Sequence, residues 1–328
     1  MPDAAIVGGG LIGLASALEL KRRGVDVRVY DRGDAGAQAS WAAAGILGPQ
    51  SEVHAPSPML ELCRQSFALY PEFTAGMDVG FRLNGTLHLP FSEEEAGQLE
   101  AQVRWQRDAG LRAEQRPNGA WFFPDEGQVD NRRLLNALRK ACLRAGIEIV
   151  AEPVVRLKDL DADVKVLCAG SWSGQLAKDL PVRPMRGQML AWDAKPPPCV
   201  TFGGGGYAVP RGMYVLVGAT AEEVGFDATP TQEGRAYLEG VAAKLLEDPK
   251  AVIDHWVGLR PATPDGMPLL GRLPDGVIVA TGHFRNGVLL APITARIVSA
   301  LFHGETAPVD LAPFHPLRYS TTPPGRRP

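Results

Sequence analysis

Paired cysteines, an excess of one charge sign and long apolar runs are all missing from this sequence. Its four cysteines, Cys63, Cys142, Cys168 and Cys199, are scattered with no CxxC pair. That excludes a zinc or disulfide framework and reads as small buried side chains in a reducing compartment. The 34 basic side chains are balanced by 37 acidic ones, a formal charge of -3, so no protein-wide positive field exists to draw nucleic acid. The longest apolar stretch, 287–302, is interrupted by Arg296 and is too short to span a bilayer. The opening Met1-Pro2-Asp3 lacks the basic region and cleavage site of a signal peptide. Together these absences predict a cytoplasmic protein with no membrane, nucleic-acid or metal partner.

What is present is an ordinary globular composition, 45% hydrophobic and 22% charged, over 328 residues, enough for two domains with a sizeable core. The order of periodic segments sets the fold class. Residues 4–7 form an apolar run ending in glycines, residues 11–23 follow at helical spacing up to Gly24, and 25–30 alternates as a strand. This βαβ unit opens a doubly wound parallel sheet. Helices are expected over 58–76, 92–110 (capped by Ser92), 132–145, 234–247 and 288–302. Buried strands are expected over 147–150, 164–168 and 277–280, and from 182 to 220 strand-like segments alternate with Gly and Pro turns, as in an antiparallel sheet. The predicted class is α/β, a Rossmann-like dinucleotide-binding domain with a parallel sheet plus a second domain built on an antiparallel sheet with helices. The boundaries expected are 1–80, 125–180 and 257–318 for the first, 81–124 and 181–256 for the second, and 319–328 as a disordered tail.

Three motifs carry chemistry. Gly8-x-Gly10-x-x-Gly13 lies between a strand and a helix, where the first glycine allows the tight turn, the second admits a pyrophosphate to the backbone N–H groups, and the third lets helix and strand pack. Asp31 ends the next strand, placed to hold ribose hydroxyls; Arg32 beside it leaves a 2′-phosphate ligand open. The small residues of Ala39-Ser40-Trp41-Ala42-Ala43-Ala44-Gly45 would let the backbone lie close to a flat ring. Gly282-His283-Phe284-Arg285-Asn286-Gly287 precedes an apolar helix whose start would direct positive partial charge at a ligand.

These blocks, with Val166-Leu167-Cys168-Ala169-Gly170-Ser171-Trp172, Arg183-Pro184-Met185-Arg186-Gly187-Gln188, Gly218-Ala219-Thr220 with Glu223-Val224-Gly225-Phe226, and Gly258-Leu259-Arg260-Pro261-Ala262-Thr263-Pro264-Asp265-Gly266, resemble the D-amino acid oxidase family, nearest its glycine oxidase branch. The likeness runs to about Leu317. It implies FAD, held non-covalently by Gly8, Gly10, Leu11, Ile12, Gly13, Asp31, Arg32, Ser40, Ala43, Ala44, Gly45, Val154, Val155, Ala169, Gly170, Trp172, Gly258, His283, Phe284, Arg285, Asn286, Gly287, Val288 and Leu289. It implies that Arg260 binds the substrate carboxylate, Tyr207 closes over it and Arg285 serves as a second site arginine. The reaction implied is oxidative deamination of D-amino acids and glycine. Hydride passes from Cα to flavin N5, and the products are a 2-oxo acid, ammonia and hydrogen peroxide. His283 is assigned a backbone-fixing role, since no base is needed once the amine is neutral. The partners implied are a small amino acid, molecular oxygen and further copies of the chain.

The sequence departs from the family in two places. The stretch 156–165 is shorter than the usual strand-rich excursion, and Gly203 to Gly206 with Ala221 replace bulkier residues, which predicts a roomier pocket suited to larger D-amino acids. The alternatives are a narrow thiamine-biosynthetic glycine oxidase, a sarcosine or proline-type oxidase or dehydrogenase, and a flavin-binding protein without turnover. Retention of Arg260 and Tyr207 argues against the last.

Overall fold

The computed structural model describes residues 2–320; the expected tail from Thr321 onward lies outside the described residues. In chain order the first elements are β1 (Ala4–Val7), α1 (Leu11–Arg22), β2 (Val27–Asp31), α2 (Ala39–Ala42), β3 (Ile46–Leu47), α3 (Pro58–Ala68), α4 (Tyr70–Phe73), β4 (Thr86–Leu89), α5 (Glu93–Asp108), β5 (Glu114–Gln115), β6 (Trp121–Phe123), β7 (Gly127–Gln128) and α6 (Asn131–Arg144). They are followed by β8 (Glu148–Ala151), β9 (Val164–Leu167), α7 (Ser173–Leu176), β10 (Arg183–Asp193), β11 (Val200–Gly203), β12 (Gly206–Arg211), β13 (Tyr214–Gly218), α8 (Gln232–Leu245), β14 (Ala251–Ala262), β15 (Leu269–Arg272), β16 (Ile278–Thr281) and α9 (Ala291–His303).

The chain divides into two discontinuous units. The first takes in 2–40, 135–184 and 260–320, and is built on a six-stranded sheet in the order β15-β16-β9-β1-β2-β8. All neighbours are parallel except β15 and β16. Its central strands read AAIV and IVAT, apolar on both faces, as strands covered on both sides must be. Helix α1 packs against α9 and is buried around most of its circumference. The expected buried strand at 147–150 is instead the edge strand β8, whose ends are exposed because it has a neighbour only in β2.

The second unit, Trp41–Leu134 with Met185–Leu259, carries an eight-stranded sheet in the order β14-β10-β13-β12-β11-β4-β6-β5. From β10 to β5 its pairs are antiparallel except β11 with β4. Residues 41–80 and 125–134, expected with the dinucleotide domain, group here. Ala42 and Ala44 join the apolar core of this sheet with Met189, Val209 and Trp256, and Gln50 and Ser51 are bonded to Glu126. The helix expected over 58–76 is two helices broken at Leu69; Pro71 has no N–H for the carbonyl of Phe67 and cannot continue the ladder. Ser92 caps α5 as expected, accepting from the Glu95 N–H at 3.1 Å. Tyr319, placed in the expected tail, packs against the core of the first unit, and its hydroxyl accepts the Asp265 N–H at 3.3 Å.

Candidate active site

In the first unit β1, β2, β9 and β16 run parallel, so their carboxyl ends share one edge of the sheet. That edge collects Gly8–Gly13, Asp31, Ala169 and Gly170, and the loop from Gly282. The strand order reverses about β1, flanked by β2 and β9, the switch point at which open α/β sheets bind ligands.

The glycine turn is dictated by close approach. A Cβ at Gly8 would lie 2.3 Å from the Cys168 carbonyl oxygen, and one at Gly13 would lie 1.8 Å from that of Gly8. Gly10 is the N-cap of α1 and supplies no side-chain cap, so the first-turn N–H groups after Leu11 are left for a ligand. The Leu11 N–H donates to Ser40 Oγ at 3.0 Å. Beside Gly170 a Cβ would meet nothing within 4 Å. An open helix start, a tight glycine turn and free space at the end of β9 fit a dinucleotide.

Asp31 Oδ2 accepts the Gly9 N–H at 2.6 Å and Oδ1 accepts that of Gly33 at 3.2 Å. Burial pushes its carboxyl above the usual range, against the pull of those backbone donors. Arg32 lies over the Trp172 ring at 4.4 Å, so its guanidinium is engaged in stacking. Asp31 pairs with Ala151 at the end of β8, and the segment leaving there carries Val154, packed in the core, and Val155, 77% exposed.

Arg260 and Arg285 come from adjoining segments of this unit. Arg260 is half-buried near the end of β14, and the carbonyl of its neighbour Pro261 accepts the Phe284 N–H at 3.0 Å, which fastens the loop carrying exposed Arg285 against it. His283 is 2% exposed and shares a 3.0 Å hydrogen bond between Nε2 and Thr294 Oγ1. Burial lowers its pKa to about 3, so it is a neutral, enclosed tie between loop and helix. The helix start expected directly after Gly287 is displaced to Ala291. Phe284 takes a positive φ of 46° and the Asn286 N–H bonds the His283 carbonyl at 2.8 Å. Buried Asn286, half-buried Gly287 and buried Val288 and Leu289 therefore form turns ahead of the helix.

In the second unit the backbone of 41–45 is held by its carbonyls. Asn131 Nδ2 donates to Trp41 O at 3.0 Å, Arg132 Nε to the same oxygen at 3.3 Å, Trp256 Nε1 to Ala42 O at 3.1 Å and the Val129 N–H to Gly45 O at 2.8 Å. Arg211 Nη2 donates to Ala44 O. Arg132 sits 3.6 Å from the Trp41 ring centroid and 4.7 Å from that of Trp256, and burial lowers the pKa of both arginines. Ser40 to Ala42 are one helical turn; Ala43 to Gly45 leave it with carbonyls anchored on one side. None of these anchors stood out in the sequence.

Tyr207 lies on β12 opposite Gly218 of β13 and Phe202 of β11. A Cβ at Gly218 would fall 2.6 Å from the tyrosine ring, so the absent side chain makes room for it. Half-buried Gly258 lies on β14. Gly203 to Gly206 form the hairpin between β11 and β12, and the volume of their absent side chains is taken by neighbouring residues. A Cβ at Gly204 would meet Lys244 at 2.5 Å, at Gly205 the Tyr237 hydroxyl at 2.7 Å, and at Gly206 the Gly218 carbonyl oxygen at 2.4 Å. Helix α8 and β13 fill that space.

A family model described as FAD dependent oxidoreductase matches residues 3–301. A glycine oxidase of Geobacillus kaustophilus is 34% identical over 97% of this chain and 97% of its own length. Its crystal structure superposes with a TM-score of 0.91 at 33% identity, covering 97% of this chain and 98% of that one. A bifunctional protein ThiO/ThiG of Synechocystis sp. is 39% identical over 98% of this chain, which spans only 54% of that relative.

Proposed function

The chain belongs to the family of FAD-dependent oxidoreductases, and on that premise we propose that it deaminates a small amino acid oxidatively, glycine first and small D-amino acids after it. The observation that carries the reading is the pairing of Arg260 and Arg285 on segments joined through the Phe284 N–H and Pro261 carbonyl, at the end of the sheet that carries the dinucleotide turn.

In this reading Arg260 takes the substrate carboxylate through two parallel N–H bonds, which set orientation as well as charge. Arg285 adds a second positive charge, and the Tyr207 hydroxyl closes over the carboxylate. FAD held at the Gly8–Gly13 turn would supply the hydride acceptor for Cα and the route of electrons to oxygen, giving hydrogen peroxide. No side-chain base takes part: neutral substrate amine suffices, and His283, enclosed and bonded to Thr294, has no access to a proton on substrate. Water then hydrolyses the imine to the 2-oxo acid and ammonia. The filled space around Gly203 to Gly206 removes the ground for preferring large side chains, and the named activity of the Geobacillus relative supports glycine.

Among the described residues no helix is long and apolar enough to cross a membrane. Four buried, unpaired cysteines support a reducing compartment, the cytoplasm in this reading. The assembly we expect is a homo-oligomer, read by sedimentation. The test of function is peroxide release in air, and loss of flavin colour without air, on adding glycine, D-alanine, D-phenylalanine or sarcosine. Failure of every one of these to bleach the flavin refutes the proposal, and D-phenylalanine outperforming glycine refutes the ranking.

A further inference from the structure

Glu126 is fully buried in the second unit, and the proposed reaction makes no use of it. Its Oε1 accepts the N–H groups of Gln50 at 2.5 Å and Ser51 at 2.8 Å, and its Oε2 accepts the hydroxyls of Ser51 and Thr86. The Ser51 oxygen lies 2.8 Å from His88 Nε2. With Glu126 ionised and the serine proton committed to it, Nε2 is the donor, which sets the tautomer of the His88 ring. Burial lowers the His88 pKa to about 3, so the ring is neutral with its proton on Nε2.

That ring has a second task. It stacks on Phe202 with centroids 4.6 Å apart and planes 12° from parallel, while Phe123 closes on it at 4.6 Å. His88 and Phe202 are direct partners across β4 and β11, and Phe202 and Tyr207 are direct partners across β11 and β12. Directly opposed residues point to the same face of a sheet, so the three rings form one row. Phe202 meets the Tyr207 ring edge-on at 5.9 Å, and on the other side the bare backbone of Gly218 borders it. The orientation of Tyr207 is therefore set by a ring that is set by a ring, and the last of these is anchored to a carboxylate.

We propose that Glu126, Ser51 and His88 are positioning residues for substrate binding, acting on the Tyr207 hydroxyl through Phe202. The inference rests on the reading in which Tyr207 closes over the substrate carboxylate. Its consequence is that a residue with no path to substrate sets substrate affinity while leaving the chemical step alone.

The test is a double-mutant cycle on the FAD-loaded enzyme, with FAD content and Tm recorded for each variant. Tyr207→Phe is measured first and is expected to raise KM. His88→Leu in the otherwise native chain is then expected to raise KM by about threefold to tenfold, the span one aromatic contact supports, with kcat nearly unchanged. In the Tyr207→Phe background the same change is expected to add nothing to KM. An equal rise of KM in both backgrounds, or an unchanged KM in folded His88→Leu, overturns the inference. An unchanged KM in Tyr207→Phe itself sinks the reading of Tyr207, and the inference falls with it by a result distinct from the other two. If His88→Leu does not yield folded protein, Phe202→Leu puts the same coupling to the same cycle with the same two outcomes.

Discussion

The Glu126 carboxyl makes the stability of this protein depend on pH in a direction opposite to that of most carboxylates. Burial raises its pKa to about 7 from an ordinary 4.5, outweighing the four donors from Ser51, Thr86 and Gln50 that favour the ionised form. A carboxyl whose folded pKa is raised binds more protons folded than unfolded, so its contribution to stability is complete below about pH 4.5 and is lost as pH rises through about 7. A gap of roughly two and a half pH units corresponds to about 3 kcal/mol. Glu126→Gln removes the titration while keeping the side chain's size. The measurement is urea unfolding of both proteins, FAD-loaded, at intervals from pH 4.5 to 8. The native chain is expected to lose about 3 kcal/mol relative to the variant across that window, most of it between pH 5 and pH 8. His283, whose pKa burial lowers, works the other way, losing stability as pH falls below about 6.5, and it cancels in the difference. A difference that stays flat with pH, or grows in favour of the native chain as pH rises, refutes the reasoning and means that the four donors outweigh burial.

Arg260→Ala is expected to raise KM by about tenfold to a hundredfold, the loss of a charged bidentate pair; steady-state kinetics with glycine that leave KM unchanged refute the assignment. Gly13→Ala puts a Cβ 1.8 Å from the Gly8 carbonyl oxygen and is expected to abolish FAD uptake, read as colourless protein after incubation with excess cofactor. His283→Gln should lower Tm by breaking the tie to Thr294 while leaving the pH profile of kcat in place; a lost limb in that profile would make His283 a titrating catalyst. Gly205→Ala, at a φ of 89° and 2.7 Å from the Tyr237 hydroxyl, should cost about 1 kcal/mol or more of stability without altering the ranking of glycine over D-alanine.

What could be read from the sequence was local. Gly8, Gly10 and Gly13 announce a turn by their spacing between a strand and a helix, and β1, α1 and β2 follow from spacing alone, although the close contacts that Gly8 and Gly10 answer, at Cys168 and Ser40, lie far along the chain. Local chemistry also misled: the apolar run after Gly287 looks helical from its first residue, yet the positive φ of Phe284 and the turns behind it delay α9 to Ala291. Gly203 to Gly206 read as missing volume because nothing nearby in sequence reveals that Lys244 and Tyr237 lie over them. Glu126 was invisible for the same reason. Its partners sit at 50, 51 and 86, and a carboxylate in Pro124-Asp125-Glu126-Gly127 has the composition of a surface turn. The grouping of 41–80 with the second unit likewise depends on Trp256, more than two hundred residues from Ala42.

The first unit is assembled from three stretches of chain, and the last of them supplies β16, which completes the flank of β9, and α9, which covers α1. A nascent polypeptide emerging from the ribosome thus exposes the apolar surface of its opening helix until almost three hundred residues have been made. Synthesis leaves that surface to chaperones in the interval, and shortening the chain anywhere before α9 strips the cofactor turn of its support although every residue of the turn is intact.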